Sequence, residues 1–200
     1  MKKDELRKLF LAKRLAIESE KRKSLSAEMA AVLFREVEFR GVSAVHCFLS
    51  LEKNGEPQTA PILERIWRDY PNIRTFAPRI NPATGAIDSV EITSETPLST
   101  NRWGIPEPPE GKSADSELFD CVIVPLICSD KAGHRVGYGK GFYDRFLTRC
   151  RRDCKKVGLS FFPPVDKILD VHQGDIQLDL CITPAGIYRF KPNFAFSANP

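Results

Sequence analysis

No apolar run in this 200-residue sequence approaches the roughly 18 residues that a membrane span requires, so no membrane helix is expected. The opening stretch MKKDELRKLFLAKRLAIESEKRK mixes acids and bases throughout and has no apolar h-region. That argues against a secretory signal and for a cytoplasmic protein. Cysteine occurs six times, as Cys47, Cys121, Cys128, Cys150, Cys154 and Cys181, but never in a C-x-x-C pair, and several stand inside apolar runs such as CVIVPLIC. Buried free thiols in a reducing compartment are expected, rather than a disulfide or zinc framework. A large excess of one charge is also missing, the formal net charge being +4. The basic clusters KRK (residues 21–23) and RCRRDCKK (residues 149–156) are expected at helix ends, where cations meet the negative end of the helix dipole. No nucleic-acid partner is implied. There is no internal repeat and no low-complexity segment, and the length suits one domain with a sizeable core.

What the chain does contain is an alternation of helical and strand patterns. Leu6, Leu9, Phe10, Lys13, Ala16 and Ile17 fall on one helical face. Leu25, Met29, Val32, Leu33 and Glu36 repeat the spacing after Ser24, a candidate N-cap. VSAVHCFLS reads as a buried strand, and TAPILERIWRDY as a helix with Pro61 in its first turn. IRTFAP and AIDSVEI read as strands around the turn NPATG, whereas TPLSTNRWGIPEPPEGKSADSE holds too much proline and polar residue for a regular element. FDCVIVPLIC is the most apolar strand, followed by the helix FYDRFLTRC and the strand KVGLSF. Fully apolar strands separated by helices predict an α/β fold, a mainly parallel sheet covered on both faces. The tail, residues 191–200, together with Phe190 reads FKPNFAFSANP and is expected to be extended or loosely packed.

Between FDCVIVPLIC and FYDRFLTRC lies GHRVGYGKGFYDRF, Gly133 to Phe146, with four glycines and both Arg135 and Lys140. In an open parallel sheet ligands bind beyond the carboxyl ends of the strands, and a helix N-terminus there offers unpaired N–H groups to an anion. Gly137, Gly139 and Gly141 let the backbone approach a phosphate closely, and the two bases add charge. The P-loop pattern does not fit, because His134 and Gly141 stand where it needs a glycine and a Ser or Thr. The dinucleotide fingerprint fails as well, its third glycine coming one residue early. A glycine-rich structural turn is the bland alternative.

The stretch VPLICSDKAGHRVGYGKGFYDRFL, residues 124–147, resembles the signature of the 5-formyltetrahydrofolate cyclo-ligase (5,10-methenyltetrahydrofolate synthetase) family. KDELR, NGEPQT, APRI, WGIPEP and GDIQLDLCITP are similar to that family's other motifs and follow in its order. The resemblance implies a single three-layer α/β/α domain over residues 1–190, and ATP-dependent closure of 5-formyltetrahydrofolate to 5,10-methenyltetrahydrofolate with release of ADP and phosphate. The γ-phosphoryl group activates a poor leaving group, the formyl oxygen, so that N10 can attack. The protein's task is then positioning and charge neutralisation.

By the same resemblance, Arg135, Val136, Gly137, Tyr138, Gly139, Lys140, Gly141, Phe142 and Tyr143 would bind ATP, with Lys3 and Arg7 reaching it from the first helix. Arg135 and Lys140 would be catalytic. Glu56, Tyr138 and Phe142 would meet the folate, Glu56 accepting hydrogen bonds from the pterin edge, and Trp103 would pack nearby. Asp144 and Asp175 would hold Mg²⁺. A monomer acting on small molecules alone is implied. Ser129 stands where the family pattern leads one to expect phenylalanine. Two other functions stay open at this point: a folate- or nucleotide-binding homologue without turnover, and a phosphosugar- or CoA-handling enzyme on a related scaffold.

Overall fold

The computed structural model describes residues 1–101 and 104–191; Trp103 and the tail residues 192–200 lie outside the described residues. The chain begins with two helices, α1 (Lys3–Leu15) and α2 (Ser19–Glu36). Strand β1 (Ala44–Cys47), helix α3 (Ala60–Asp69) and strand β2 (Arg74–Ile80) form a β-α-β unit, and β3 (Ile87–Ile92) follows. The proline-rich stretch contributes only the two-residue strands β4 (Ser99–Thr100), β5 (Pro106–Glu107) and β6 (Ser113–Ala114). Next come β7 (Cys121–Pro125), the hairpin of β8 (Cys128–Ser129) and β9 (Arg135–Val136), and helix α4 (Phe142–Leu147). Strands β10 (Lys155–Leu159), β11 (Leu180–Thr183) and β12 (Gly186–Arg189) complete the chain.

The main sheet runs β12-β11-β10-β7-β1-β2-β3-β6. Its middle, from β11 to β2, is parallel, and the strands at both margins are antiparallel. Alternation along β1 shows how the two faces are filled. Val45 and Cys47 enter the cluster under α2 and α3, whereas Ala44 joins Phe76, Phe119 and Phe146 on the α4 side. His46 lies on that second face, fully buried, with Nδ1 3.0 Å from Ser89 Oγ. Burial pulls its pKa down to about 3, so it packs as a neutral ring.

Helix α1 stands apart from both layers. Its Leu6 and Phe10 pack on Ile127, Cys128 and Val136, the β8–β9 hairpin that leads into the glycine loop. The helix is therefore fixed against the loop itself, which decides what its polar side chains can reach.

Several expectations are corrected. FDCVIVPLIC is not one strand: Pro125 has no N–H to continue the ladder, and the chain leaves the main sheet there to make the hairpin. Ser24 is no N-cap, because α2 begins at Ser19 and Ser24 donates to Glu28 within the helix. Lys21 to Lys23 consequently lie near the start of α2, where Lys23 pairs with Glu20. The cluster at residues 149–156 is partly structural, Arg151 pairing with Asp120 at 2.6 Å and Lys156 being buried beside Asp179.

Candidate active site

The glycine loop runs from β9 to α4, beyond the carboxyl end of β7. Two of its glycines are required by geometry: Gly139 has φ +88° and Gly141 has φ +64°, left-handed values that side chains rarely adopt. Val136, just before the loop, is fully buried under α1, so its side chain secures the hairpin. Helix α4 is only six residues long, so its dipole is a smaller asset to an anion than the sequence reading supposed. The charge must come from side chains.

Besides Arg14 at the Tyr138 hydroxyl and Arg145 at the Lys140 carbonyl, the loop is met by the four bases assigned to the nucleotide. Arg7 donates from Nε to the carbonyl of Gly137 at 2.9 Å and also pairs with Asp4. Lys3 pairs with Asp175. Arg135 is buried, donating to the carbonyl of Ile176 and, at 2.8 Å, to Asp144 Oδ1. Burial lowers the Arg135 pKa, and the charge of Asp144 and its hydrogen bond oppose that shift. Lys140 differs from the other three: it is exposed, and its amine makes no ion pair among the described residues.

Asp144 and Asp175, 31 positions apart in sequence, are drawn together. Asp144 Oδ1 accepts from the backbone N–H of Ile176 at 3.1 Å, while Asp175 Oδ2 accepts from Lys3 and, at 2.7 Å, from the backbone N–H of His172. Lys3 and the His172 N–H hold the Asp175 carboxyl below its usual range, although burial opposes them. Asp144 Oδ2 and Asp175 Oδ1 accept no hydrogen bond among the described residues. Two carboxylate oxygens are thus left over, which suits a hard cation that keeps most of its water. No group of three or more His, Cys, Asp or Glu gathers among the described residues, so a fuller protein cage is not offered.

On the other side of the loop sits Glu56, buried at 6% exposure. It follows a single 3₁₀ turn, Glu52–Asn54, and Gly55 at φ +61°. Oε2 accepts from the Leu51 N–H at 2.7 Å, and Oε1 accepts from the hydroxyl of Tyr138 at 2.6 Å. Burial raises the Glu56 pKa, whereas the Tyr138 and Leu51 hydrogen bonds and the charge of Arg14 lower it. A groove of 440 Å³ lies between Ser50, Thr59, Leu63, Trp67 and Leu98; neither Glu56 nor the glycine loop lines it.

Phe142 is half-buried against the α4-side core, with the Arg145 guanidinium 5.5 Å from its ring centre. Tyr143 packs between both core clusters, and its buried hydroxyl has no hydrogen-bond partner among the described residues. Ser129 is buried in β8, paired across the hairpin with Arg135, so the position where an aromatic was expected belongs to the packing under the loop.

Arg14 was missed from sequence. It is 2% exposed and donates to the carbonyls of Asn54 at 2.8 Å and Leu126 at 3.0 Å, and to the Tyr138 hydroxyl. The signal was available, for Leu6, Phe10 and Arg14 follow one another at i, i+4 and i+8. A base on the apolar stripe of a helix needs a buried partner.

Over residues 1–184 the chain matches the family model described as the 5-formyltetrahydrofolate cyclo-ligase family. It is 31% identical over 150 residues to the 5-formyltetrahydrofolate cyclo-ligase of Escherichia coli strain K12, an alignment covering 73% of this chain and 80% of the relative. To the mitochondrial 5-formyltetrahydrofolate cyclo-ligase of Arabidopsis thaliana it is 26% identical over 223 residues, covering 94% and 80% of the two chains. The NMR structure of Aquifex aeolicus 5,10-methenyltetrahydrofolate synthetase superposes with a TM-score of 0.81 at 29% identity, over 98% of this chain and 96% of that one. The stretch matched by the family model takes in the glycine loop, Glu56 and both aspartates, and this chain belongs to the 5-formyltetrahydrofolate cyclo-ligase family.

Proposed function

We propose that this enzyme closes 5-formyltetrahydrofolate to 5,10-methenyltetrahydrofolate, using ATP on the glycine loop and a pterin seat at Glu56. One observation carries the reading. The Tyr138 hydroxyl bonds to Glu56 at 2.6 Å, so the loop assigned to phosphates and the acid assigned to the pterin, 82 positions apart, belong to one site.

The chemistry asks for two separations of charge. When the formyl oxygen attacks the γ-phosphorus, the bond to ADP breaks and negative charge spreads over the phosphoryl oxygens. Lys140 and Arg7 face that charge, while Arg135, tied to Asp144, supports the loop from beneath. N10 then attacks the activated carbon, phosphate leaves with the former formyl oxygen, and N10 gives up its proton as the methenyl bridge closes. Glu56 holds the pterin through this step by accepting from its amino edge. Asp144 and Asp175 would hold Mg²⁺ through their remaining oxygens; bound there, the ion neutralises phosphate charge. A monomer in a reducing compartment completes the reading.

The test is direct. Purified protein, given 5-formyltetrahydrofolate, ATP and Mg²⁺, is expected to generate the absorbance of the methenyl product, one ADP per folate, and nothing when ATP is withheld. ATP hydrolysis without methenyl product, or neither signal, would refute the assignment.

The metal assignment gives a prediction of its own. Asp144→Asn and Asp175→Asn are each expected to raise the Mg²⁺ concentration for half-maximal rate by about 10-fold, in line with the loss of one carboxylate ligand. Extra Mg²⁺ should restore part of the rate. Unchanged magnesium titrations in both variants would leave ATP to carry its ion without these ligands.

A further inference from the structure

Glu56 is held from three sides by groups that the sequence scatters along the chain. A guanidinium has only donors, so in its contact with Arg14 the Tyr138 oxygen is the acceptor. The single proton of Tyr138 is thereby directed to Glu56 Oε1, at 2.6 Å. With Leu51 N–H on Oε2 at 2.7 Å, the carboxylate is fixed at both oxygens. Each oxygen keeps a second lone pair for a ligand. Arg14 is itself immobilised, because its Nε and Nη1 are spent on the carbonyls of Asn54 and Leu126.

Tyr138 stands in the middle of the phosphate loop. The carbonyl before it, on Gly137, accepts from Arg7 Nε at 2.9 Å, and Gly139 after it lies against the Arg7 guanidinium, a Cβ there falling 3.5 Å from Nη2. A continuous chain therefore runs from Arg7 through Gly137 and Tyr138 to Glu56. Resting on the reading of the two seats given above, we infer that Arg14 and Tyr138 are positioning residues that couple the folate seat to the nucleotide seat. The sign of the coupling follows from the bonds. A ligand that holds the Gly137–Gly139 segment against Arg7 also holds the Tyr138 hydroxyl on Glu56, and so keeps the free lone pairs of the carboxylate aimed at the other ligand. Each ligand therefore favours the second. Linkage makes the effect reciprocal.

Tyr138→Phe removes one oxygen from a partly exposed ring and leaves Arg14 its two carbonyls. The experiment is calorimetric titration of 5-formyltetrahydrofolate into enzyme with and without a non-hydrolysable ATP analogue and Mg²⁺, then the reverse order. Wild type is expected to bind each ligand about 5- to 10-fold more tightly in the presence of the other. In Tyr138→Phe that factor is expected to fall to within about twofold of unity, with the thermal midpoint recorded alongside. A merely structural role would weaken both ligands and leave the factor unchanged, which would overturn the inference, as would a wild-type factor of one. Wild-type protein that takes up neither ligand would instead refute the reading of the site, and the coupling with it.

Discussion

Lys140→Ala is expected to lower kcat by about 10²- to 10³-fold, the usual consequence of removing one preorganised group that stabilises transition-state charge. The number rests on how the four cations are used. Lys3, Arg7 and Arg135 are each tied to a carboxylate, Asp175, Asp4 and Asp144 respectively, and part of their charge is already answered inside the protein. Lys140 has no such partner among the described residues, so its full charge is available to the phosphoryl group as negative charge develops there. The loop backbone does not depend on its side chain. Arg145 donates to the Lys140 carbonyl at 3.1 Å, and Gly139 and Gly141 supply the turn. The unfolding free energy should therefore move by no more than about 0.5 kcal/mol, as for other exposed substitutions. Since the interaction strengthens only in the transition state, kcat and kcat/KM for ATP should fall together. A variant that lost ATP binding alone, at unchanged kcat, would show that Lys140 anchors the ground state and that the transferring group is neutralised elsewhere.

How much of this could be read in advance differs from residue to residue, for physical reasons. The parallel layers were legible because β1 and β7 are buried on both faces and read as largely apolar runs, with β10 following the pattern only from Val157 onward. The place of the glycine loop followed from it. Pro125 carries its own signal: a residue without N–H inside an apolar run ends a ladder. The β11–β12 hairpin was read only as a C-terminal motif, although LCIT and GIYR flank the two-residue turn Pro184-Ala185. Arg14 continues the helical spacing of Leu6 and Phe10 and is buried with them, whereas Lys13, which the broader face also includes, is exposed. Other contacts had no local signal. Arg135 and Asp144 are nine residues apart and meet because the loop reverses on itself, while Lys3 and Asp175 meet across 172 positions because α1 docks on the hairpin. No periodicity encodes such pairs; packing does.

Glu56→Gln is expected to weaken 5-formyltetrahydrofolate binding by about 10- to 100-fold and ATP-analogue binding far less, because a buried charge-assisted hydrogen bond is exchanged for a mismatched one. A carboxylate accepts at both oxygens, and here both are already engaged by donors, Leu51 N–H and Tyr138 O–H. An amide of the same shape accepts at one end and donates at the other. With its oxygen on the Leu51 N–H, the amide presents its NH₂ to Tyr138, whose hydroxyl must then accept and turn its proton away; turned the other way, the NH₂ faces the Leu51 donor, and a pterin edge that offers only N–H groups meets the same conflict. The substitution also removes a buried charge whose pKa burial had raised, and that relief opposes the lost hydrogen bond in the unliganded protein. Stability should consequently change much less than folate affinity. The measurement is a pair of titrations, folate and non-hydrolysable ATP analogue, on wild type and variant, with denaturant unfolding as the control. Equal losses for the two ligands would mean that Glu56 serves to hold Tyr138 and the loop in shape. Loss of folate alone, with each ligand titrated singly, would establish the carboxylate as the pterin's acceptor.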